Sequence, residues 1–304
     1  MLFELGVIGP VSLKEPCGWE TARQFDAMKH RRKIGKMLAT LLPAVAEVGS
    51  GKIFMSEFLG TAVLLLLGGG VVATNLLPKS KGKDGGWLMI NFGWGFAVLA
   101  GVYVAYTTGG HLNPAVTIAK VVAYMFDPAV TLNGPAVGEG GIAVSAANVA
   151  IYIVAQFLGA FVGAVLCWLT FKQHFDEDCD PALKLGVFST GPEIRSYGWN
   201  TLTEAIGTFV LILWVFVSGY TTTAIGPLGV ALIIVVIGNS LGGPTGYAIN
   251  PARDLGPRIA HAILPIKGKG GSDWGYSWVP VVGPILGAVV AVLVAYGSGL
   301  VTAA

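Results

Sequence analysis

Charged side chains are scarce in this sequence. Lysine, arginine, aspartate and glutamate make up 12% of its 304 residues, against 54% for apolar residues. Soluble domains average about 25% charged residues, so this composition is typical of a protein that spans a membrane. The net charge is only +2, and no basic stripe with interleaved aromatics is present, which argues against a nucleic-acid-binding surface.

Cysteines are few as well, and so are groups of residues typical of catalytic or metal sites. The three cysteines have no metal or redox spacing, and an odd number argues against a full disulfide framework. The acidic run at 174–180 contains one histidine, but it lacks a recognised ligand spacing, and we interpret it as a solvated outer loop. No Ser/His/Asp or Cys/His arrangement is evident. We therefore expect no enzyme, no metal and no cofactor.

Residues 1–52 differ from the rest of the chain. They hold eight basic and five acidic residues, and they lack the apolar core and cleavage site of a secretory signal. The basic run at 29–33 is best explained by the positive-inside rule, which keeps such segments in the cytoplasm. We predict a cytoplasmic N-terminal extension at 1–52 and a membrane domain at 53–301.

Six apolar segments are predicted to cross the membrane. They lie at 53–77, 87–106, 144–170, 199–220, 227–241 and 278–300. The polar or Pro/Gly-rich connections are expected to be loops, at 78–86, 126–143 and 171–198. An internal N-terminus places the three lysines of the first loop outside, which opposes the positive-inside rule mildly. The more basic N-terminal segment should dominate, so both termini are expected in the cytoplasm.

Two shorter segments each begin with the same triplet. Asn113-Pro114-Ala115 and Asn250-Pro251-Ala252 follow Gly-rich breaks and precede about ten residues, too few to cross a bilayer. Asparagine is a preferred N-cap and proline is tolerated in the first helical turn. We predict two half-helices whose N-termini meet in the middle of the membrane.

The two halves of the chain repeat each other. The segment that begins at Glu57 resembles the one that begins at Glu204, the triplets match, and Leu158-Gly159-Ala160 matches Leu286-Gly287-Ala288. Each repeat has three spans, so the second copy must be inverted in the membrane. Inverted repeats with broken helices are typical of channels and transporters whose site lies near the midplane. The predicted repeats are residues 53–172 and 199–301.

Together these motifs resemble the aquaporin family over about residues 53–301. The resemblance rests on two extended boxes, HLNPAV at 111–116 and NPARD at 250–254, placed alike in a six-span inverted repeat. Asp254 and the segment 185–195 are similar to the glycerol facilitator branch. The resemblance implies an all-α membrane protein with six transmembrane helices and two re-entrant half-helices. It also implies a homotetramer in the plasma membrane, with one pore in each subunit.

The resemblance also implies a selectivity filter of four residues. Arg253 falls on the filter arginine, Tyr247 on an aromatic residue that faces the pore, and Gly238 on a small residue that replaces the histidine of water-only channels. The filter tryptophan falls on Trp94 if a one-residue gap is allowed in 105–110. Without the gap Gly93 falls there, but Trp94 followed by glycine fits the family pattern better.

Elementary chemistry independently favours a polyol pore. Such a pore needs an apolar wall for carbons and polar groups for hydroxyls; Arg253 supplies a fixed fork of donors, and Gly238 leaves volume that a histidine would fill. Unpaired backbone carbonyls at 109–112 and 246–249 are expected to form a ladder of acceptors. This ladder includes Gly110, His111, Leu112, Ala248 and Ile249. The two half-helix N-termini and Arg253 should repel cations and protons.

Two buried acids and a histidine have alternative explanations. Glu57 and Glu204 suggest a proton relay, but in the family such glutamates accept backbone N–H groups from the broken loops, and we prefer that role. His111 is a candidate pH gate, but the resemblance makes it a packed or pore-lining scaffold residue.

We predict a passive channel for glycerol, other small neutral solutes and water that excludes ions and protons. The alternatives are a water-selective pore, against which Gly238 argues, and a proton-coupled transporter that uses Glu57 or Glu204.

Overall fold

The computed structural model of the chain describes residues 48–134, 140–220 and 225–302. The described part is helical, without strands. Its ten α-helices are α1 (Ser50–Leu76), α2 (Gly86–Val104), α3 (Pro114–Phe126), α4 (Ala146–Thr170), α5 (Lys172–Asp176), α6 (Pro181–Phe188), α7 (Tyr197–Val217), α8 (Pro227–Leu241), α9 (Pro251–Ile263) and α10 (Val279–Gly297). Most of the predicted extension at 1–52 lies outside the described residues.

Six helices correspond to the six predicted spans, and two correspond to the predicted half-helices. Among the described helices, α1, α2, α4, α7 and α10 are long and apolar enough to cross a membrane. The predicted fifth span is α8, which has 15 residues, fewer than the ~20 that a straight crossing needs. It ends at the glycines and proline of 242–244, which cannot extend a helix well. The half-helices α3 and α9 have 13 residues each.

Helix packing follows the internal repeat. Helix α1 packs on α4 and α2, and α7 packs in the same way on α10 and α8. The half-helices exchange partners, because α3 packs on α10 of the second repeat and α9 packs on α4 of the first. The two repeats therefore interlock, and neither can bury its half-helix without the other.

Glycine permits close helix approaches at equivalent places in the two repeats. A Cβ on Gly159 of α4 would lie 2.3 Å from the carbonyl oxygen of Phe58 in α1. A Cβ on Gly287 of α10 would lie 2.1 Å from the carbonyl oxygen of Ala205 in α7. Phe58 and Ala205 each follow the repeated glutamate by one residue, so both contacts belong to equivalent places. Small residues at such crossings let helix backbones approach closely in a membrane.

The segment 171–198 was predicted to be a loop, but part of it is helical. It contains α5 and α6, and α6 begins where the side chain of Asp180 accepts a hydrogen bond from the Ala182 amide at 2.8 Å. This Asp-Pro start is the same N-cap signal that identified the half-helices, and the sequence reading overlooked it here.

The acidic side chains around α5 and α6 each pair with a different partner. Glu177 pairs with Lys79, and Asp178 pairs with Lys267 at 3.0 Å. The hydrogen bond from Lys267 lowers the pKa of the Asp178 carboxyl. The His174 ring contacts the carbonyl oxygen of Pro78 at 2.9 Å. Each group thus connects the segment 171–198 to another connection between helices.

Replacing Gly287 by valine should destabilise the helix pair α7–α10. The added carbons would overlap the Ala205 backbone, and overpacking of this kind costs about 1–3 kcal/mol. Thermal unfolding in detergent, followed by size-exclusion chromatography, measures the loss. Gly297→Val on the same helix is the matched control, because a Cβ there has nothing within 4 Å. Equal stability of the two variants would contradict the close-approach explanation.

Candidate functional site: the passage beside the half-helices

Each half-helix begins with an asparagine that caps it. The Asn113 side-chain oxygen accepts a hydrogen bond from the Ala115 amide at 2.9 Å, and the Asn250 oxygen accepts one from the Ala252 amide at 3.0 Å. Both asparagines have extended backbone, and proline occupies the first helical turn after each. The local sequence alone therefore determines where both half-helices start.

The two starts meet tip to tip, as predicted. The Asn113 side-chain nitrogen donates to the carbonyl oxygen of Ile249 at 2.9 Å, and the Asn250 nitrogen donates to the carbonyl of Leu112 at 2.8 Å. These two carbonyls were expected to be unpaired, so the acceptor ladder is shorter than predicted. Each amide group carries a second hydrogen that the cross-bond does not use.

The loops before the half-helices share an unusual backbone. Gly110 and Leu112 have φ of 62° and 53°, and the equivalent residues of the second repeat, Tyr247 and Ile249, have φ of 40° and 42°. Within the described residues, the remaining carbonyls of both loops accept no hydrogen bond. These carbonyls belong to Gly109, Gly110, His111, Gly246, Tyr247 and Ala248. They stay available to a solute.

Glu57 supports the first loop. Its Oε1 accepts hydrogen bonds from the Thr108 hydroxyl at 2.6 Å and the His111 amide at 3.0 Å. Its Oε2 accepts from the Leu112 amide and the Gln156 side chain, both at 2.8 Å. The carboxylate therefore meets four donors, a geometry that fits a structural role better than a proton relay.

Glu204 supports the second loop in the same way. Its Oε1 accepts from the Thr245 hydroxyl at 2.7 Å and the Ala248 amide at 3.0 Å, and its Oε2 accepts from the Ile249 amide at 2.8 Å. Both glutamates are buried, and each donor to Glu204 has its equivalent among the donors to Glu57. An unpaired backbone amide at this depth would cost several kcal/mol.

His111 is held at both ring nitrogens. Its Nε2 contacts the Leu132 carbonyl oxygen at 2.7 Å, and its Nδ1 contacts the Thr117 hydroxyl at 3.0 Å. The ring centroid lies 4.8 Å from that of Tyr152. This packing fits a scaffold residue that connects the first loop to the connection after α3.

Two cavities lie on either side of three side chains. The central cavity, of about 270 Å³, runs past Asn113 and Asn250. The vestibule, of about 630 Å³, lies on the other side and reaches Arg195 and Asp273. The residues that line both cavities are Trp94, Tyr247 and Arg253. These three residues, which were predicted to belong to the filter, therefore lie at the boundary between the cavities, which we call the constriction.

Trp94 and Arg253 are in direct contact at this constriction. The Arg253 guanidinium carbon lies 4.1 Å from the centroid of the Trp94 ring, a cation–π distance. Arg253 also donates a long hydrogen bond of 3.4 Å to the Phe188 carbonyl. Gly93, the alternative position for the filter tryptophan, faces Val71 on α1 instead.

Gly238 lies behind Tyr247 and lines neither cavity. A Cβ on Gly238 would lie 2.6 Å from the Tyr247 ring and 2.5 Å from the Asn91 side-chain oxygen. The volume that the missing side chain leaves is thus already filled by Tyr247. Gly238 affects the constriction through the position of this ring.

Asp254 anchors the segment beside the constriction. Its Oδ2 accepts hydrogen bonds from the amide and the hydroxyl of Thr190 at 2.7 and 2.8 Å. Its Oδ1 pairs with Arg258 at 2.8 Å, and both side chains are fully buried. Arg258 in turn donates to the carbonyl oxygens of Thr190 and Ser272. The network joins the segment after α6 to the half-helix that carries Arg253.

The sequence reading overlooked two residues near the passage. Lys120 lines the central cavity, with its amine 5.3 Å from the Phe216 ring centroid. It lies seven residues after Asn113, on the same helix face as Val116, so helical spacing was a usable signal. Asn91 is fully buried and lies, like Tyr247, against Gly238, and only the tertiary structure brings these residues together.

Comparison with known proteins agrees with this architecture. Residues 44–132 and 124–295 match the family described as Major intrinsic protein. A probable glycerol uptake facilitator protein of Thermotoga maritima is 51% identical over 240 residues, which cover 78% of this chain and 95% of that protein. A glycerol uptake facilitator protein of Streptococcus pneumoniae is 50% identical over 241 residues, with the same coverage.

A solved structure is similar as well. The X-ray structure of the aquaglyceroporin from Plasmodium falciparum is 31% identical in sequence, with a TM-score of 0.66. The match covers 81% of this chain and 96% of that one. With its interlocked repeats, its paired half-helices and these relatives, the chain belongs to the major intrinsic protein family.

Proposed function

We propose that this protein is a passive channel for glycerol and other small neutral solutes, with water as a second permeant. The observation that carries the proposal is the passage itself, in which two cavities adjoin at Trp94, Tyr247 and Arg253. Relatives that are about 50% identical are named as glycerol uptake facilitators, which supports the same solute here.

The walls of the central cavity suit a polyol. One side is apolar and comes from α1, α2, α7 and α8, for example at Leu64, Val98, Leu211 and Ile234. The other side carries the free carbonyls and the two asparagine amides. Glycerol has hydroxyls that can face the polar strip while its carbons face the apolar wall. The Trp94 and Tyr247 rings continue the apolar side into the constriction.

Exclusion of cations follows from the charges along the passage. The N-termini of α3 and α9 each carry about half a positive charge, and they point at one another. Arg253 and Lys120 add cationic side chains to the wall of the central cavity. Among the described residues that line this cavity, none is acidic. A cation or a hydrated proton therefore meets repulsion without a compensating carboxylate.

We place the channel in the plasma membrane with both termini in the cytoplasm. The basic run at 29–33 supports this orientation under the positive-inside rule. Residues 1–52 are then a cytoplasmic extension of the channel domain at 53–301. A homotetramer with one passage in each subunit is part of the proposal, and it rests on the family resemblance alone.

Light scattering of proteoliposomes tests the proposed function. In an inward glycerol gradient, vesicles with the protein should shrink and then swell again faster than protein-free vesicles. A proton uncoupler should not change the rate, because the proposed passage is not coupled to an ion. Water flux without glycerol entry would indicate a water-selective pore, and uptake that collapses with the uncoupler would indicate a transporter.

Gly238→His should reduce glycerol flux more than water flux. A histidine there must displace the Tyr247 ring toward the passage, because a Cβ would already lie 2.6 Å from it. We expect about a tenfold loss of glycerol permeability, which corresponds to about 1.4 kcal/mol of added barrier. Gly243→His is the matched control, since a Cβ there has nothing within 4 Å. Equal losses of both fluxes would show that Gly238 does not contribute to the selection between glycerol and water.

Arg253→Val should loosen the exclusion of charged solutes. Valine removes a full positive charge and the donor fork from the constriction, so we expect a measurable proton or cation leak. A pH-sensitive dye inside the vesicles reports the leak under an imposed potential. Lys172→Val removes one charge from an outer helix and should leave the leak at the wild-type level. If the leak of Arg253→Val equals that of the wild type, the role assigned to Arg253 in excluding charged solutes is wrong.

A further inference from the structure

Two buried polar atoms beside the constriction have no partner. Within the described residues, the Asn91 side-chain oxygen and the Tyr247 hydroxyl make no hydrogen bond. Asn91 is 0% exposed and Tyr247 is 6% exposed. An unsatisfied buried polar group costs about 1–3 kcal/mol, so two of them side by side require an explanation.

Both atoms face the same small space next to Gly238. A Cβ on Gly238 would lie 2.5 Å from the Asn91 oxygen and 2.7 Å from the Tyr247 hydroxyl oxygen. One atom can only accept a hydrogen bond and the other can donate one, so the two are chemically complementary. Glycine at 238 is what allows both atoms to lie against this residue, because a Cβ would overlap them.

The orientation of the Asn91 amide is held from its other end. Its Nδ2 donates to the Asn239 side-chain oxygen at 2.8 Å. With this bond made, the oxygen is the end of the amide that lies against Gly238, as the Tyr247 hydroxyl does. Asn239 follows Gly238 on α8, so the pair also fixes the distance between α2 and α8.

The backbone of Tyr247 is strained, and no hydrogen bond within the described residues holds its hydroxyl. Its φ of 40° lies in the left-handed region, where a bulky residue is rare. The equivalent residue of the first repeat is Gly110, which adopts that region without penalty. The Trp87 ring packs edge-on at 5.9 Å from the Tyr247 ring. This aromatic contact does not by itself prevent the ring from turning.

We propose that Asn91 is a positioning residue that sets the width of the constriction by accepting a hydrogen bond from the Tyr247 hydroxyl. A small turn of the ring toward Gly238 makes this bond. The hydroxyl then faces away from the passage, and the ring presents carbon atoms to the solute. Without the acceptor, the hydroxyl turns into the passage and narrows it. The inference rests on the proposed glycerol function and names a determinant of its selectivity.

A double-mutant cycle tests this assignment. The four proteins are the wild type, Asn91→Leu, Tyr247→Phe and the double variant, each measured for glycerol and for water permeability in proteoliposomes. Leucine keeps the branching of asparagine at Cγ but cannot accept a hydrogen bond. Asn91→Leu should lower the ratio of glycerol to water permeability about threefold to tenfold, the range expected for one hydrogen bond. In the Tyr247→Phe background the same change should alter the ratio less than about twofold.

The outcomes separate the positioning role from packing. An equal effect of Asn91→Leu in both backgrounds would mean that Asn91 acts without the hydroxyl, and the proposal would be wrong. No effect in the wild-type background would also overturn it. Asn148→Leu, a half-buried position at the start of α4 whose side chain donates to the Ala143 carbonyl at 3.0 Å, is the matched control and should leave the ratio unchanged. If Asn91→Leu aggregates, Asn91→Ala removes the same acceptor and carries the cycle instead.

Failure of the proposed function gives a different result. A wild-type protein that passes water but not glycerol would overturn the glycerol channel itself. The cycle would then be read from water permeability alone. Dependence of the Asn91 effect on the Tyr247 hydroxyl would still support the positioning role, and its absence would still overturn it.

Discussion

The reciprocal hydrogen bonds between Asn113 and Ile249 and between Asn250 and Leu112 hold the whole passage together. Irregular backbone at membrane depth is tolerated only where its polar groups find partners or line a watery path. Here each loop supplies a carbonyl to the asparagine of the other, and a buried glutamate collects its amides. Neither loop satisfies its backbone alone, so the two inverted repeats are obligatory partners.

Because the loops are stabilised in this way, their amides and their carbonyls have different roles. Amides of the loops point at Glu57 and Glu204, away from the passage. The carbonyls that remain free are then available on the passage side, opposite an apolar wall. The same left-handed residues that reverse the direction of the backbone also produce this division. The hydrogen bonds that stabilise the loops thus also leave free the carbonyls that line the passage.

The two repeats differ at the positions that define the constriction. Gly110 in the first repeat corresponds to Tyr247 in the second, and both occupy the left-handed region. The first loop has a glycine with no room for a side chain, because a Cβ would lie 2.9 Å from Val102. The second loop accommodates a large ring at a strained position, against Gly238. Strain at such a site is typical of functional positions.

The sequence by itself determined the spans, the internal repeat and the starts of both half-helices, because apolar length and Asn-Pro capping are local properties. It also singled out Trp94, Tyr247 and Arg253, and the structure places these three residues where the two cavities adjoin. Only the tertiary structure decided that Tyr247 and Asn91 both lie against Gly238 and that Lys120 lines the central cavity. These facts depend on which residues of distant helices occupy the same few ångströms, and periodicity along one chain segment carries no information about that.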